Sequence, residues 1–404
     1  MTNRRRPAPL RDERGFTIIE MLVATMIMVA ATGAIFALLD PSQGIYRTQP
    51  EVSDMQQRLR VAQNTLQSDL MMAGAGTYLS AGSGTLLNFF APVVPYRVGT
   101  VDSDVAAGIF YRTDAITIMY VPQTASQCSI RDQMPQPSAE VKVNAQPGCP
   151  AGDPLCGFNV GMRVVIFDDT GAYDPFTVTN VQEAALHLQH RDDTFSKSYG
   201  PGAQIAQVAM HTYYLRTDVA NDTFQLMHYD GYLTDEPIAD NVVGLEFEYF
   251  GDPRPPLLLK AVTDPTGPWT SYGPKPPAIG VDNPSTTWGA GENCAFQIDG
   301  ASGLQVPRMT DLAPGASGLV PLTQAMLTDG PWCPDGAATS RFDADLLRVR
   351  KIGVRLRVQV ASAEMRGPAG QLFNRGGSSR SGLSFVPDQE IRFEITPRNM
   401  NLGR

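Results

Sequence analysis

Hydrophobic positions first form one long apolar stretch near the N-terminus. From Phe16 to Leu39 the chain runs for 24 residues with a single charge, at Glu20. A helix of that length, at ~1.5 Å per residue, spans roughly 36 Å, which is enough to cross the hydrocarbon core of a bilayer. We therefore predict a transmembrane helix over residues 16–39.

A polar segment, Asp40-Pro41-Ser42-Gln43-Gly44, follows this stretch. Proline lacks the backbone donor that a helix needs and its ring clashes with the preceding turn. The sequence thus predicts a kink or a local melting of the helix at Pro41.

Beyond residue 50 the pattern becomes one-sided. Apolar side chains recur at steps of three and four residues, which is typical of an amphipathic helix. These positions are Val52, Met55, Leu59, Ala62, Leu66, Leu70 and Ala73. The segment Gly74-Ala75-Gly76 is a plausible end, so we predict that the N-terminal helix extends over residues 16–76.

Short β-type runs separated by turn residues follow, over residues 77–404. The predicted strands are Ile116–Val121, Met162–Phe167, Phe176–Val181, Ala185–His190, Ala206–Arg216, Thr223–Tyr229, Asn241–Tyr249, Leu347–Val360 and Arg392–Thr396. The phase of alternation changes at Arg350-Lys351, which predicts a β-bulge. The fold class is therefore α+β, with a long helix packed on an antiparallel β-sheet head.

A long segment within the head is poor in strand signals. Residues 251–340 contain 14 prolines and 12 glycines. We predict an irregular insertion here, and such insertions are usually functional or mobile.

Composition and charge narrow the function. The 404-residue chain has a net charge of −9, which argues against a nucleic-acid partner. Residues 1–15 carry five arginines against Asp12 and Glu13, a net charge of +3, so the N-terminal end of the apolar helix should stay in the cytoplasm.

A cleaved secretory signal is a poor fit, because the apolar stretch is too long and lacks a small-residue cleavage site. A plain signal anchor leaves Glu20 unexplained, since a carboxylate in a membrane helix usually has a partner.

The segment Arg14-Gly15-Phe16-Thr17-Ile18-Ile19-Glu20 resembles the type IV prepilin leader, in which Gly-Phe-Thr-x-x-Glu precedes an apolar helix. The resemblance implies that prepilin peptidase removes residues 1–15 by cleaving between Gly15 and Phe16 and methylates the new N-terminus, Phe16. It also implies a bilayer-anchored precursor that joins a filament of other minor and major pilins at an inner-membrane assembly platform.

Glu20 then acquires a candidate role in assembly. In a filament the apolar helices pack side by side, and a carboxylate buried there must be paired or neutral. We hypothesise that Glu20 pairs with the free amine of Phe16 in a neighbouring subunit and so sets the axial register.

Two further segments refine the resemblance. Leu59–Gly74 resembles the post-membrane helix of W-type (PilW-like) minor pilins, and Val242–Tyr249 with Ile352–Val358 resembles the C-terminal sheet of J- and W-type minor pilins. We expect a PilW-like minor pilin of a type IV pilus at or near the pilus tip, first in the inner membrane with its head outside the cytoplasm and then at the cell surface. The alternatives are a J-like minor pseudopilin of a type II secretion system and a pilus-tip adhesin whose insertion, with Trp269, Trp288 and Trp332, binds a surface or a glycan.

An extracytoplasmic head permits disulfides. We expect Cys149–Cys156 and Cys294–Cys333 with Cys128 free, although five cysteines allow several pairings. A cysteine metal site is disfavoured, because no C-x-x-C and no nearby histidine occur.

Candidate chemistry elsewhere is weak. Asp168, Asp169 and Asp174 invite a calcium site, but their spacing does not match an EF-hand loop and turn formation explains them more simply. His187 and His190 fall on opposite faces of a predicted strand. No catalytic motif occurs in a suitable context, so we expect no enzyme activity, no cofactor and no metal.

The C-terminal part is basic. Residues 341–404 carry 12 basic and 6 acidic side chains, while the rest of the processed chain is acidic. We interpret the basic side chains of residues 341–404 as part of a solvated sheet face. The alternative is that they form a docking surface between pilin heads.

Overall fold

A computed structural model describes most of the chain. It covers residues 15–77, 85–96, 98, 111–123, 126–136, 138–146, 148–191, 195–218, 223–231, 233–261, 264–283, 288–335, 341–366, 378–380 and 383–401. Side chains are not described for residues 37–47, 223, 260, 261, 264–269, 378–380 and 383–385. Apart from Gly15, the predicted leader lies outside the described residues.

One long helix, α1, extends over Ile18–Met72. It is continuous through Pro41, so the predicted local melting at this proline is wrong. Proline removes one main-chain hydrogen bond, and the neighbouring turns keep theirs.

The helix ends where the glycines predict. Gly74 has a φ of +76°, in the left-handed region where glycine is favoured. Its N–H donates to the carbonyl of Met119 at 3.1 Å, so the chain leaves the helix already bonded to a strand.

Twenty-four strands follow in the described part of the chain, most of them short. Those before residue 241 are β1 (Val93–Val94), β2 (Ala115–Tyr120), β3 (Gln127–Ser129), β4 (Glu140–Lys142), β5 (Arg163–Phe167), β6 (Tyr173–Thr177), β7 (Asn180–Gln182), β8 (His187–Gln189), β9 (Gln204–Gln207), β10 (Ala209–Asp218), β11 (Thr223–Tyr229) and β12 (Asp235–Asp240). Those after it are β13 (Val242–Gly251), β14 (Leu258–Ala261), β15 (Asp264–Thr270), β16 (Phe296–Ile298), β17 (Gln305–Pro307), β18 (Val320–Leu322), β19 (Trp332–Cys333), β20 (Phe342–Asp343), β21 (Val349–Val358), β22 (Ser378–Arg380), β23 (Leu383–Phe385) and β24 (Gln389–Ile395). Short 3-10 helices cover Leu86–Asn88, Ala344–Arg348, Ala363–Met365 and Arg398–Met400.

The chain divides into two compact units. The smaller comprises Met1–Asp54 with Val360–Pro387 and holds the hairpin β22–β23. Within it the Glu51 carboxylate accepts a hydrogen bond from the N–H of Ala361 at 3.2 Å.

The larger unit comprises Met55–Gln359 with Asp388–Arg404 and contains antiparallel sheets. The sheets with three or more strands have the strand orders β1-β2-β10-β11-β12, β18-β13-β21-β24, β3-β9-β5-β6 and β4-β8-β7. Together with α1 this is an α+β arrangement with antiparallel sheets.

The C-terminal part of α1 supplies one side of the core of the larger unit. Met55, Leu59, Ala62, Leu66, Leu70 and Ala73 are buried, so the predicted apolar face is confirmed from Met55 onward. Val52 is only half-buried.

Strand predictions differ from the structure mainly where two strands were merged. Phe176–Val181 is divided between β6 and β7, and Ala206–Arg216 between β9 and β10. The divided parts belong to different sheets, because the chain crosses from one sheet to the next at these points. A run of β-type residues in the sequence does not show where the chain passes from one sheet to another.

The predicted β-bulge is confirmed. Phe250 of β13 pairs with Lys351 of β21, and the next residue, Gly251, pairs with Val349. Arg350 is therefore the extra residue on β21, and the phase change in the sequence reports it.

The segment 251–340 is less irregular than predicted. It holds the hairpins β14–β15 and β16–β17, and β18 joins the edge of the sheet formed by β13, β21 and β24. These strands have three to seven residues and include prolines, so the alternation of apolar and polar residues is too short to recognise.

Candidate processing and assembly site

The residues around the predicted cleavage site are not helical and are accessible. Gly15, Phe16 and Thr17 precede the first turn of α1, and Phe16 is 87% exposed. A side chain at Gly15 would meet nothing within 4 Å. The Gly15–Phe16 peptide bond therefore lies in a segment that a protease can reach.

Thr17 and Glu20 form a reciprocal cap at the start of α1. Oε2 of Glu20 accepts hydrogen bonds from the N–H and the hydroxyl of Thr17, both at 2.9 Å. The Thr17 hydroxyl in turn accepts from the N–H of Glu20 at 3.3 Å. This is a capping box, Thr-x-x-Glu, which our sequence analysis missed although the motif is readable in the sequence.

The first half of α1 is apolar and exposed. Ile18–Phe36 has a mean hydropathy of 2.1 and is apolar enough to cross a membrane. None of this window is buried within the chain, so an apolar environment must come from lipid or from other chains.

The cysteines occupy three places. Cys149 and Cys156 are joined by a disulfide across a seven-residue separation, and Cys294 is joined to Cys333 across 39 residues. Cys128 is buried without a disulfide, and burial raises the pKa of its thiol, so it is a poor nucleophile.

The aspartates of the segment 168–174 serve the turn between β5 and β6. Asp168 accepts from the N–H of Thr170 at 3.1 Å and forms an ion pair with Lys197. Asp174 accepts from the N–H and hydroxyl of Ser196 and from the hydroxyl of Tyr199, at 2.8–2.9 Å. The contact of Asp168 agrees with the preferred interpretation, turn formation, whereas Asp174 binds Ser196 and Tyr199.

A cavity of about 550 Å³ opens beside this turn. Polar side chains that line it include Gln133, Asp169, Ser198, Lys275 and Asn283. Burial raises the pKa of Asp169, and the negative charge of Asp168 adds to the effect. Residues of the segment 251–340, among them Lys275 and Asn283, line one part of this cavity.

The histidines separate into two different settings. Nδ1 of His187 in β8 lies 3.3 Å from Oε2 of Glu140, and His190 is buried against the rings of Phe176 and Phe195. The two histidines therefore contact different groups.

His211 and His228 form a cluster that sequence analysis missed. Nδ1 of His211 lies 2.7 Å from Nε2 of His228 and 3.5 Å from Oδ2 of Asp69. Burial lowers the pKa of His211, against an opposing effect of Asp69. In the sequence His211 and His228 lie on two successive predicted strands, but their convergence depends on the register between those strands.

A second group that could hold a metal by distance alone is Asp329, Asp343 and Asp345. Asp343 accepts hydrogen bonds from the N–H groups of Gly330 and Asp345, at 2.7 and 2.8 Å, and Asp345 pairs with Arg348. The carboxylates of Asp343 and Asp345 therefore already have structural partners.

Comparison with known families identifies the N-terminal segment. Residues 10–36 match the family model of the prokaryotic N-terminal methylation motif. The match supports a type IV pilin-like or pseudopilin protein that prepilin peptidase processes and that associates with other pilins. With the apolar helix, it is consistent with an inner-membrane anchored protein that later forms pilus or surface structures. A comparison with curated proteins finds no match.

Proposed function

We propose that this chain is a W-type minor pilin of a type IV pilus that acts at or near the tip to initiate assembly. The methylation motif at residues 10–36, placed directly before an exposed apolar helix, is the observation that carries the proposal. Assembly rather than catalysis is the activity, and the head lies outside the cytoplasm.

Glu20 is the residue that we assign to subunit docking. Its Oε2 is used by Thr17, whereas its Oε1 accepts no hydrogen bond from any described residue. Once Gly15 is removed, the free amine of Phe16 in an adjacent subunit can donate to Oε1. In the water-poor core of a filament this pair compensates a charge that would otherwise be costly to bury.

A position at the tip fits the size of the head. More than 300 residues follow α1, and a subunit that is repeated along the shaft must pack its helix close to its neighbours. A terminal position accommodates the bulk. We expect the chain to meet the other pilins at an assembly platform in the inner membrane.

Quantitative mass spectrometry of purified pili tests this position. We expect a few copies of this chain per pilus, and a strain that lacks it should form fewer pili. A copy number close to that of the main shaft subunit would contradict the proposal. If returning this chain to the deletion strain restores protein secretion instead of piliation, the result would indicate the J-like pseudopilin alternative.

A second candidate function is adhesion, and the cavity lined in part by residues of the insertion is the observation that favours it. Two of the tryptophans are used internally. Trp288 donates its indole N–H to the carbonyl of Pro334 at 2.7 Å and lies under Arg308, and the ring of Trp332 lies under Arg341. The cavity is therefore the better candidate for a glycan.

A glycan-binding screen with the full chain and the variant Gly200→Trp tests adhesion. Gly200 lines the cavity, and a Cβ added there meets nothing within 4 Å, so we expect the backbone to accept the indole and the indole to obstruct the cavity. Binding that the variant abolishes supports adhesion. Absence of binding, or equal binding by both proteins, excludes this cavity as the site.

A further inference from the structure

Three side chains with metal-ligating atoms converge where the C-terminal part of α1 meets the sheet. Asp69 comes from α1, His211 from β10 and His228 from β11. Their ligating atoms all lie within 4.8 Å of one another. The strand register explains the convergence, because His228 lies opposite Tyr213, two residues from His211 on the same face of β10.

The distances are close to those that a bound ion requires. Two nitrogens at ~2.05 Å from one tetrahedral Zn²⁺ are roughly 3.3 Å apart. His211 Nδ1 and Asp69 Oδ2 are 3.5 Å apart, and the two histidine nitrogens, at 2.7 Å, need to open by about 0.6 Å. This opening requires rotation of the two side chains. In the structure the two nitrogens are close enough to share one proton, and an ion would take the place of that proton.

An outer shell of hydroxyl groups orients the ligands. The Tyr213 hydroxyl donates to Oδ2 of Asp69 at 2.5 Å, and the Tyr120 hydroxyl lies 3.2 Å from Nε2 of His211. Metal-binding histidines commonly bond a second group through the nitrogen that does not face the metal. If Nε2 of His211 carries the proton and donates to Tyr120, its Nδ1 presents a lone pair to the ion.

The local charge favours a cation. Among the described residues, the charged groups that act on His211 are the carboxylates of Asp69 and Asp230 together with His228. The side chains of His211 and Asp69 retain 21% and 17% of their exposure, so an ion can enter from solvent.

We propose that Asp69, His211 and His228 bind one divalent transition-metal ion of the zinc type, which fastens α1 to β10 and β11. Two imidazoles and one carboxylate suit such ions and leave a fourth position for water. This site is independent of the N-terminal motif and therefore stands or falls apart from the proposed role in assembly.

Zinc titration of the full-length chain in detergent, purified without a polyhistidine tag, tests the site. We expect one Zn²⁺ per chain, measured by competition with a chromophoric chelator. The variants His228→Gln and Asp69→Asn should weaken binding by about 100-fold or more, and Tyr213→Phe, which spares all three ligands, by about 10-fold. His187→Gln is the matched control, because His187 also pairs with a carboxylate but has no second histidine beside it.

Binding that is equal in His228→Gln and in the unaltered chain would overturn the proposal, as would equal loss in His187→Gln. A cobalt(II) titration of the unaltered chain does not depend on whether the variants fold. A visible absorption band that saturates at one equivalent and disappears on addition of Zn²⁺ supports the site. Absence of a saturable band overturns it.

Discussion

Glu20 has two separable tasks at the start of α1. In the isolated chain its carboxylate caps the first turn through Thr17, which stabilises the end of the helix. In the proposed filament the same carboxylate neutralises the amine of a neighbour. Both tasks are compatible, because Oε2 of Glu20 accepts from Thr17 and Oε1 can accept from the amine of Phe16 in a neighbouring subunit.

Substitution distinguishes these tasks. Glu20→Gln keeps an oxygen that can accept from Thr17 but removes the charge, and Thr17→Val removes the cap but keeps the charge. A charged hydrogen bond contributes about 1.5–3 kcal/mol, so we expect Glu20→Gln to lower incorporation into pili by roughly 10- to 100-fold. Thr17→Val should incorporate almost normally. Immunoblots of membranes and of sheared pili measure both, and normal incorporation of Glu20→Gln would refute the pairing.

Asp174 predicts a pH dependence of stability. Burial raises its pKa to about 6, against the hydrogen bonds from Tyr199 and Ser196. Below about pH 4 the group is protonated in the folded and the unfolded chain. As the pH rises towards 6 the unfolded chain loses this proton first, so stability falls through that range, by about 3 kcal/mol at most.

The variant Asp174→Asn should lack this contribution. The difference in unfolding free energy between the two proteins should shift in favour of the variant between about pH 4 and pH 7. Denaturant titrations monitored by circular dichroism measure it. A difference that does not change with pH would show that Asp174 is already ionised at the lower pH.

At the scale of the element, a buried arginine lies just before the bulge at Arg350. The 3-10 helix of Ala344–Arg348 directly precedes β21. Arg348 is fully buried there, paired with Asp345, and donates to the carbonyls of Pro253 and Thr310. The guanidinium of Arg348 therefore connects two separate parts of the segment 251–340.

Gly251, opposite this bulge, allows no side chain. An added Cβ would lie 2.7 Å from Cδ1 of Leu322 and 2.9 Å from the carbonyl oxygen of Arg348. Gly251→Ala should therefore destabilise the chain by about 1–3 kcal/mol. Gly300→Ala is the control, because nothing lies within 4 Å of that position. Thermal unfolding measures both, and equal midpoints would contradict the crowding.

The elements that sequence analysis identified are those with long periodic patterns. The apolar face from Met55 to Ala73 and the alternation over Val242–Tyr249 depend only on local spacing. The cluster of Asp69, His211 and His228 depends on the register of β10 with β11 and on where α1 lies, which no local pattern reports. The hairpins of 251–340 were missed because each has too few residues.

At the scale of the whole molecule, the basic C-terminal part is balanced by its own sheet. Arg355 of β21 pairs with Glu246 of β13 at 2.8 Å, and Arg392 of β24 pairs with Glu248 at 3.1 Å. Lys351 pairs with Glu394 at 3.0 Å. Because these pairs are partly exposed, they add little stability, and they favour a solvated face over a docking surface.

The two disulfides should differ in their effect on stability. Loop closure predicts about 2 kcal/mol for the seven-residue separation of Cys149–Cys156 and about 4 kcal/mol for the 39 residues of Cys294–Cys333. We expect the double alanine variant at Cys294 and Cys333 to lower the unfolding midpoint more than that at Cys149 and Cys156. Non-reducing peptide mapping checks the pairing, and a larger loss for the short loop would contradict this order.

All proposals on assembly depend on retention of the apolar helix after removal of the leader. Intact and peptide mass spectrometry of the chain isolated from its native membrane measures this most directly. We predict an N-terminus at Phe16 that carries one additional methyl group. A chain that still begins at Met1, or one that lacks residues 16–39, would contradict the account.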